Sequence, residues 1–135
     1  MMNRRKAREY AFILLFEYRF QPDCIHELLE DFLAENEAGE QEEYIRSTVE
    51  GTIAHVAEID AVIAARAKGW TTERISVACM AAMRLAVFEM THDESIPLGV
   101  SVNEAVALTK KYDGEESVGF VNGLLGAYQN ALISG

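Results

Sequence analysis

The sequence predicts an all-α fold, and three observations carry that prediction. Only two prolines interrupt 135 residues. Apolar side chains recur at three- and four-residue steps along most of the chain, the spacing that gathers them on one face of a helix. Alanine, leucine and glutamate, all good helix formers, are abundant, and no stretch stands out as a strand. At this length the chain reads as one domain over residues 1–135, with 50% hydrophobic residues. Such a domain buries roughly two-thirds of its unfolded surface, enough for a core without metal or disulfide.

The first helix, expected over Asn3–Phe20, organises the rest. Ala7, Ala11, Leu14, Leu15 and Tyr18 share one face, and Phe12 and Phe16 form a second. A helix apolar on more than one side is central in a bundle. Its start is basic: Arg4, Arg5, Lys6 and Arg8 are four of the chain's 12 Lys and Arg. Cations at a helix N-terminus oppose the helix dipole, so the fold gains nothing obvious from them. They read either as a solvated terminus or as a short arm for anions or nucleic acid. Pro22 disfavours helical geometry at Gln21 and can open the next helix, whose apolar stripe is Ile25, Leu28, Leu29, Phe32 and Leu33. The acids from Glu27 to Glu43 read as a solvated face. A third helix is expected over about Glu40–Lys68, with Gly51 either a close helix contact or a weak point. Lys68-Gly69 is a good stop. Trp70 follows, placed either to pack over a helix end or to anchor a surface contact.

Thr71 is expected to cap a fourth helix, whose broad apolar face includes Ile75, Ala78, Cys79, Ala82, Met83 and Ala86. A loop should follow over His92–Val100. Ser101-Val102-Asn103-Glu104 has the form of a capping box and should start a short helix reaching Tyr112. Asp113-Gly114 breaks it. A last helix, over roughly Glu115–Ala131, buries Val121, Leu124, Leu125, Tyr128 and Leu132. Gly119, Gly123 and Gly126 thin one side of it, for tight packing or for access by a ligand.

The formal charge is −10. An acidic protein repels nucleic acid and anionic membranes at a distance, so nucleic-acid binding here requires a local basic patch or a partner that supplies charge. Cys24 and Cys79 form no disulfide framework, which fits a reducing, cytoplasmic setting. No uncharged apolar run is long enough for a membrane span, and no signal peptide is visible. His26, His55 and His92 are widely separated in sequence. No zinc-ligand spacing, HExxH, Walker loop or GxGxxG is present, so no catalytic, metal or cofactor site is predicted. The residues favour a binding or interaction protein over an enzyme.

Four segments carry a family resemblance. They are Arg4-Arg5-Lys6-Ala7-Arg8-Glu9-Tyr10-Ala11; Met83-Arg84-Leu85-Ala86-Val87-Phe88-Glu89-Met90; Ile96 through Tyr112, with the Asn103-Glu104-Ala105 run; and Phe120-Val121-Asn122-Gly123-Leu124-Leu125. Over nearly the whole chain the sequence resembles the bacterial transcription antitermination factor family NusB. The same domain is similar to the N-terminal part of a ribosomal RNA cytosine methyltransferase, and with the chain ending at Gly135 no methyltransferase domain is expected to follow.

The resemblance implies a compact bundle of about six to seven helices in two packed subdomains around the long first helix. It implies a non-enzymatic factor that binds the single-stranded boxA element of nascent ribosomal RNA. Binding would be joint with NusE, a small-subunit ribosomal protein, within an RNA polymerase antitermination complex. A homodimer is among the assemblies it allows. Carried over by position, Arg4, Arg5, Lys6 and Arg8 would meet RNA phosphates and base edges, and Phe120 would stack on an unpaired base. Asn122 would either contact RNA or pack as a polar group. Phe16 and an exposed start of the fourth helix near Cys79 would face NusE. Three departures stand out: Phe16 where some relatives carry Tyr, Cys79 where some carry an acid, and Gly119 where some carry a base. With the acidic total they imply weak RNA binding by the chain alone. They also leave a second reading, an acidic helical interaction module that binds NusE with little or no RNA binding of its own.

Overall fold

The computed structural model describes residues 2–70 and 72–135. Among these, seven α-helices follow one another: α1 (Arg4–Tyr18), α2 (Ile25–Glu35), α3 (Glu42–Ala54), α4 (Val56–Arg66), α5 (Val77–His92), α6 (Leu98–Tyr112) and α7 (Val118–Ser134). Short 3-10 turns at Pro22–Cys24, Gly39–Gln41, Thr72–Arg74 and Glu115–Ser117 precede α2, α3, α5 and α7. None of these helices is long and apolar enough to cross a membrane.

Asn3 caps α1: its Oδ1 accepts from the Lys6 N–H at 2.8 Å, satisfying a donor that every helix start leaves free. The helix ends at Tyr18, two residues before the expected Phe20. The N–H groups of Arg19 and Phe20 turn back to the Phe16 and Glu17 carbonyls, tightening the last turn.

α1 shares the centre of the fold with α5. Of the 16 residues of α5, all but Val77, Arg84, Thr91 and His92 are buried. It packs against α1, α3, α4, α6 and α7. A helix apolar all round belongs inside a fold, and its alanines let neighbours approach closely. The cap expected at Thr71 lies outside the described residues. Ser76 caps α5 instead, its Oγ accepting from the Cys79 N–H at 3.1 Å.

The helix expected over Glu40–Lys68 is two helices. The break is at His55, whose backbone leaves the α region (φ −109°, ψ 18°) while its N–H still reaches the Gly51 carbonyl at 3.0 Å. The reason lies in the packing. α3 docks on α1 and α5, whereas α4 docks on α5 and α7, and one straight rod does not serve both. Gly51 is the close contact that lets α3 approach: a Cβ there would stand 2.4 Å from the Phe88 ring.

The capping box expected at Ser101 is not one. α6 begins at Leu98, directly after Pro97, and Ser101 lies a turn inside it, 1% exposed. Its hydroxyl donates to Glu89 Oε1 at 2.7 Å, so it has left the backbone for a partner in α5. That carboxylate is completely buried. Its other oxygen accepts from Arg8 Nε of α1 at 2.9 Å and from the Tyr44 hydroxyl of α3. Glu89 thereby ties α1, α3, α5 and α6 together. Burial, reinforced by the Glu89 charge, pushes the Tyr44 phenol well above its ordinary range. Burial alone would lower the Arg8 guanidinium, but Tyr44, Glu89 and Glu104 more than offset it.

A second tie joins α1 to α6. Glu9 Oε2 accepts from Lys111 Nζ at 2.5 Å and from the Tyr112 hydroxyl at 2.6 Å, and the Phe12 and Tyr112 rings lie 4.9 Å apart. These donors, Lys111 first, hold the Glu9 carboxyl down at about 2.

Three outcomes are expected. Gly51→Ala should destabilise the chain by about 1–3 kcal/mol, the usual cost of overpacking, because the gain in helix propensity is smaller than the displacement of a packed Phe88. A denaturation midpoint equal to or above wild type would mean that the ring simply swings away. Glu89→Ala removes the nearer of the two carboxylates at buried Arg8, leaving Glu104 at 3.6 Å, and should cost up to about 3–5 kcal/mol in denaturant titration; a loss under about 1 kcal/mol would show that Glu104 or solvent satisfies Arg8. For Glu9 the sign follows from a folded-state value below the ordinary 4.5. Its contribution is complete above that ordinary value and is lost as the pH falls toward about 2. Glu9→Gln should therefore be less stable than wild type at neutral pH, with the gap closing in acid. A gap independent of pH would contradict the assignment.

Candidate nucleic-acid interface

The basic start of α1 divides at the helix surface. Successive residues step around a helix by about 100°, so Arg4 and Arg8 fall on one side and Arg5 and Lys6 swing away from it. Arg8 points inward and is 4% exposed, held by Glu89 and lying 3.6 Å from Glu104. It is a buried structural cation, and the sequence-based expectation that it stands free for RNA does not match this placement. Arg4 lies above it, its guanidinium 4.2 Å from the Tyr44 ring centre and its Nε donating to Gln41 at 2.7 Å. The Arg5 and Lys6 side chains are 72% and 53% exposed, each 3.3 Å from an acid, Glu104 and Glu9 respectively.

Arg5, Lys6 and Arg8 line one wall of a groove between α1 and α6, about 350 Å³ in volume. Asn3 also lines it, and Lys111, Leu108 and Glu104 of α6 form the opposite wall. Lys111 adds a cation that the sequence reading did not single out. Its neighbour Lys110 is exposed, with Nζ 3.5 Å from Glu115 in the turn before α7. Cations thus continue along α6 toward α7, although Glu9 and Glu104 neutralise part of their charge.

Phe120 occupies another neighbourhood. It is half-buried near the start of α7, and its ring packs 5.6 Å from Trp70 at a 51° tilt. Trp70 does pack over a helix end, yet it remains 53% exposed, so it also presents an aromatic surface. The sequence signal for it was a tryptophan in a loop; its partner Phe120 was not readable, because the two are brought together only by the fold. Among the described residues, no hydrogen bond, ion pair or ring contact joins this pair to Arg4, Arg5, Lys6 or Arg8. Asn122 is exposed and makes no side-chain hydrogen bond among the described residues, so it is not a packing group. Around it, a Cβ built on Gly119, Gly123 or Gly126 meets nothing within 4 Å. Those glycines form an open surface rather than a tight internal contact.

The two residues expected to face NusE differ. Phe16 is half-buried at the end of α1, with its ring 5.5 Å from Phe20, which is 59% exposed. Cys79 is 3% exposed and donates to Asp113 Oδ2 at 3.5 Å. Burial pushes its thiol pKa up. Cys79 faces the core, so the expected contact through its side chain is corrected: α5 is enclosed at this position.

The family model described as NusB matches residues 5–130. The transcription antitermination protein NusB of Thermoanaerobacter sp. (strain X514) is 42% identical over 127 residues, covering 94% of this chain and 90% of that protein. The solution structure of NusB from Aquifex aeolicus superposes with a TM-score of 0.81 at 32% identity, over 99% of this chain and 92% of that one. A chain in the crystal structure of antitermination factors NusB and NusE in complex with dsRNA matches with a TM-score of 0.84 at 30% identity, over 95% of this chain and 96% of that one. The helical order, the basic start of α1 and these matches agree, and the chain belongs to the NusB family, whose members are RNA- and protein-binding factors and not enzymes.

Proposed function

We propose that this chain is a transcription antitermination factor that binds the boxA element of nascent ribosomal RNA jointly with NusE, within an RNA polymerase antitermination complex in the cytoplasm. The observation that carries this reading is the outward cation set Arg4, Arg5 and Lys6, above a groove whose far wall adds Lys111. The helix bearing these cations is fixed from beneath by the buried Arg8–Glu89 pair. These cations oppose the helix dipole and, Arg8 apart, do not build the core, so an external anion is a partner that would use them. Phe120 and the more exposed Trp70, tilted against each other, offer ring faces on which unpaired bases would stack, and exposed Asn122 lies on the same helix. A relative's presence in a complex with NusE and dsRNA supports NusE and RNA as the classes of partner. Phe16, half-buried at the end of α1 beside exposed Phe20, is the part of the expected NusE surface that remains available.

A second reading keeps one observation in its favour. Glu9 and Glu104 already neutralise cations in the groove, and the chain carries a charge of −10. On that reading the domain binds NusE, and the partner carries the RNA.

Fluorescence anisotropy of labelled boxA RNA, with a scrambled control, separates the two. The protein should prefer boxA and bind it more tightly with NusE present. If three cations each neutralise one phosphate, the slope of log K against log salt should be about −2, from roughly −0.7 per phosphate on a single strand. Arg5→Ala with Lys6→Ala should shrink that slope and leave the melting temperature unchanged, since both side chains are exposed. Phe120→Ala should weaken boxA binding by about 1–3 kcal/mol. Tight NusE binding with equal or absent affinity for both RNAs would favour the interaction module.

A further inference from the structure

Two of the three histidines, far apart in sequence, meet in the fold. His55 occupies the corner between α3 and α4, and His92 is the last residue of α5. Their rings stack with centroids 4.2 Å apart at 24°. Glu58, in the first turn of α4, brings a carboxylate oxygen to 3.7 Å from His55 Nδ1. One donor atom from each of His55, Glu58 and His92 falls within 4.8 Å of the others. We infer that these three residues form a binding site for a divalent transition-metal ion, with zinc as the ion that fits them best.

The donor set suits zinc. Two neutral imidazoles and one carboxylate are borderline ligands, and zinc accepts them at about 2.0–2.2 Å with no directional demand from its d electrons. A shared ion requires the donor atoms to close in from their present spacing. That movement is a rotation of side chains, because all three are at the surface: His55 and Glu58 keep 38% and 75% of their side chains exposed, and His92 is exposed. Neither imidazole makes a hydrogen bond among the described residues, so a nitrogen lone pair on each is free to coordinate. Three protein donors leave a fourth position to water.

The placement suggests what the ion would do. His55 stands at the corner the chain needs so that α3 and α4 can pack on different neighbours, and Phe88, whose ring fills the space above Gly51, lies 5.2 Å from the His92 ring. An ion held by His55, Glu58 and His92 staples the α3–α4 corner to the end of α5. The bland account is that two surface imidazoles stack on each other and on Phe88. It explains the ring contacts, and the i,i+3 spacing explains Glu58 beside His55; what it does not require is that all three donors converge within 4.8 Å.

Isothermal titration of the untagged, chelator-treated chain with zinc chloride tests the site. One equivalent should bind. His55→Ala and His92→Ala should each weaken binding by at least about tenfold, the lower end of what loss of even a supporting partner costs a metal site. Cys24→Ser combined with His26→Ala should leave binding unchanged, since that exposed pair is the rival location. Histidine ring-proton resonances provide a readout without mutation. Zinc should shift those of His55 and His92 and leave those of His26 in place. No binding, binding that survives loss of both His55 and His92, or a response confined to His26 would each overturn the proposal.

Discussion

The fold depends on one buried carboxylate. Glu89 has no exposed surface, and a lone charge in that position would cost several kcal/mol. It is tolerated because Arg8, Tyr44 and Ser101 all turn toward it. Each of these comes from a different helix, so the carboxylate is satisfied only when α1, α3 and α6 are in register around α5. Hydrophobic burial is indifferent to small rotations of a helix. A hydrogen-bonded charge is not, and this one sets the rotation of α1. Once Arg8 is fixed inward, helical geometry leaves Arg5 and Lys6 facing out. The orientation of the basic arm is therefore a consequence of the core.

That linkage also explains what the sequence could not reveal. Periodicity identified the helices and most of the core, because apolar stripes are local. Arg8 stands among three surface cations and has their composition, so nothing nearby in the chain marks it as buried; its partner is far away, in α5. Ser101 and Glu104 match the spacing of a capping box, but both side chains are engaged across helices, one by Glu89 and the other by Arg5 and Arg8. The break at His55 has no proline or glycine at the break itself to announce it. It arises because α3 and α4 answer to different neighbours. Cys79 lies on the apolar face that periodicity assigns to this helix, and it is buried there; the exposed contact came from the resemblance alone. In the first three cases a long-range contact overrode a local pattern.

The groove shows how an acidic protein can keep a small basic site. Lys6 and Lys111 both lie close to Glu9, and Arg5 and Arg8 both lie close to Glu104. These acids position the cations and lower the net positive charge of the groove. The result is an ordered set of donors with a modest field. Such a site recognises geometry more than it attracts from a distance, since long-range steering scales with unneutralised charge. A partner that brings its own positive surface would supply the missing attraction, and this is the physical argument for the joint binding proposed above.

The arm and the aromatic pair occupy different parts of the surface, and α6 links them. It passes Arg5 at Glu104 and reaches Glu115, in the turn before α7, at Lys110. Those two points are separated by roughly 9 Å of helix rise. A ligand that meets both the arm and Phe120 must therefore run along the surface. A compact anion held in the groove would leave Phe120 and Trp70 without a role. An extended single strand can set its phosphates against Arg5, Lys6 and Lys111 and turn an unpaired base onto the ring pair beyond. The open backbone at Gly119 and Gly123 favours this arrangement, because it removes side chains from the surface beside Phe120. Gly119 thus carries no charge and leaves the surface beside Phe120 open, as the stacking role proposed for Phe120 would require.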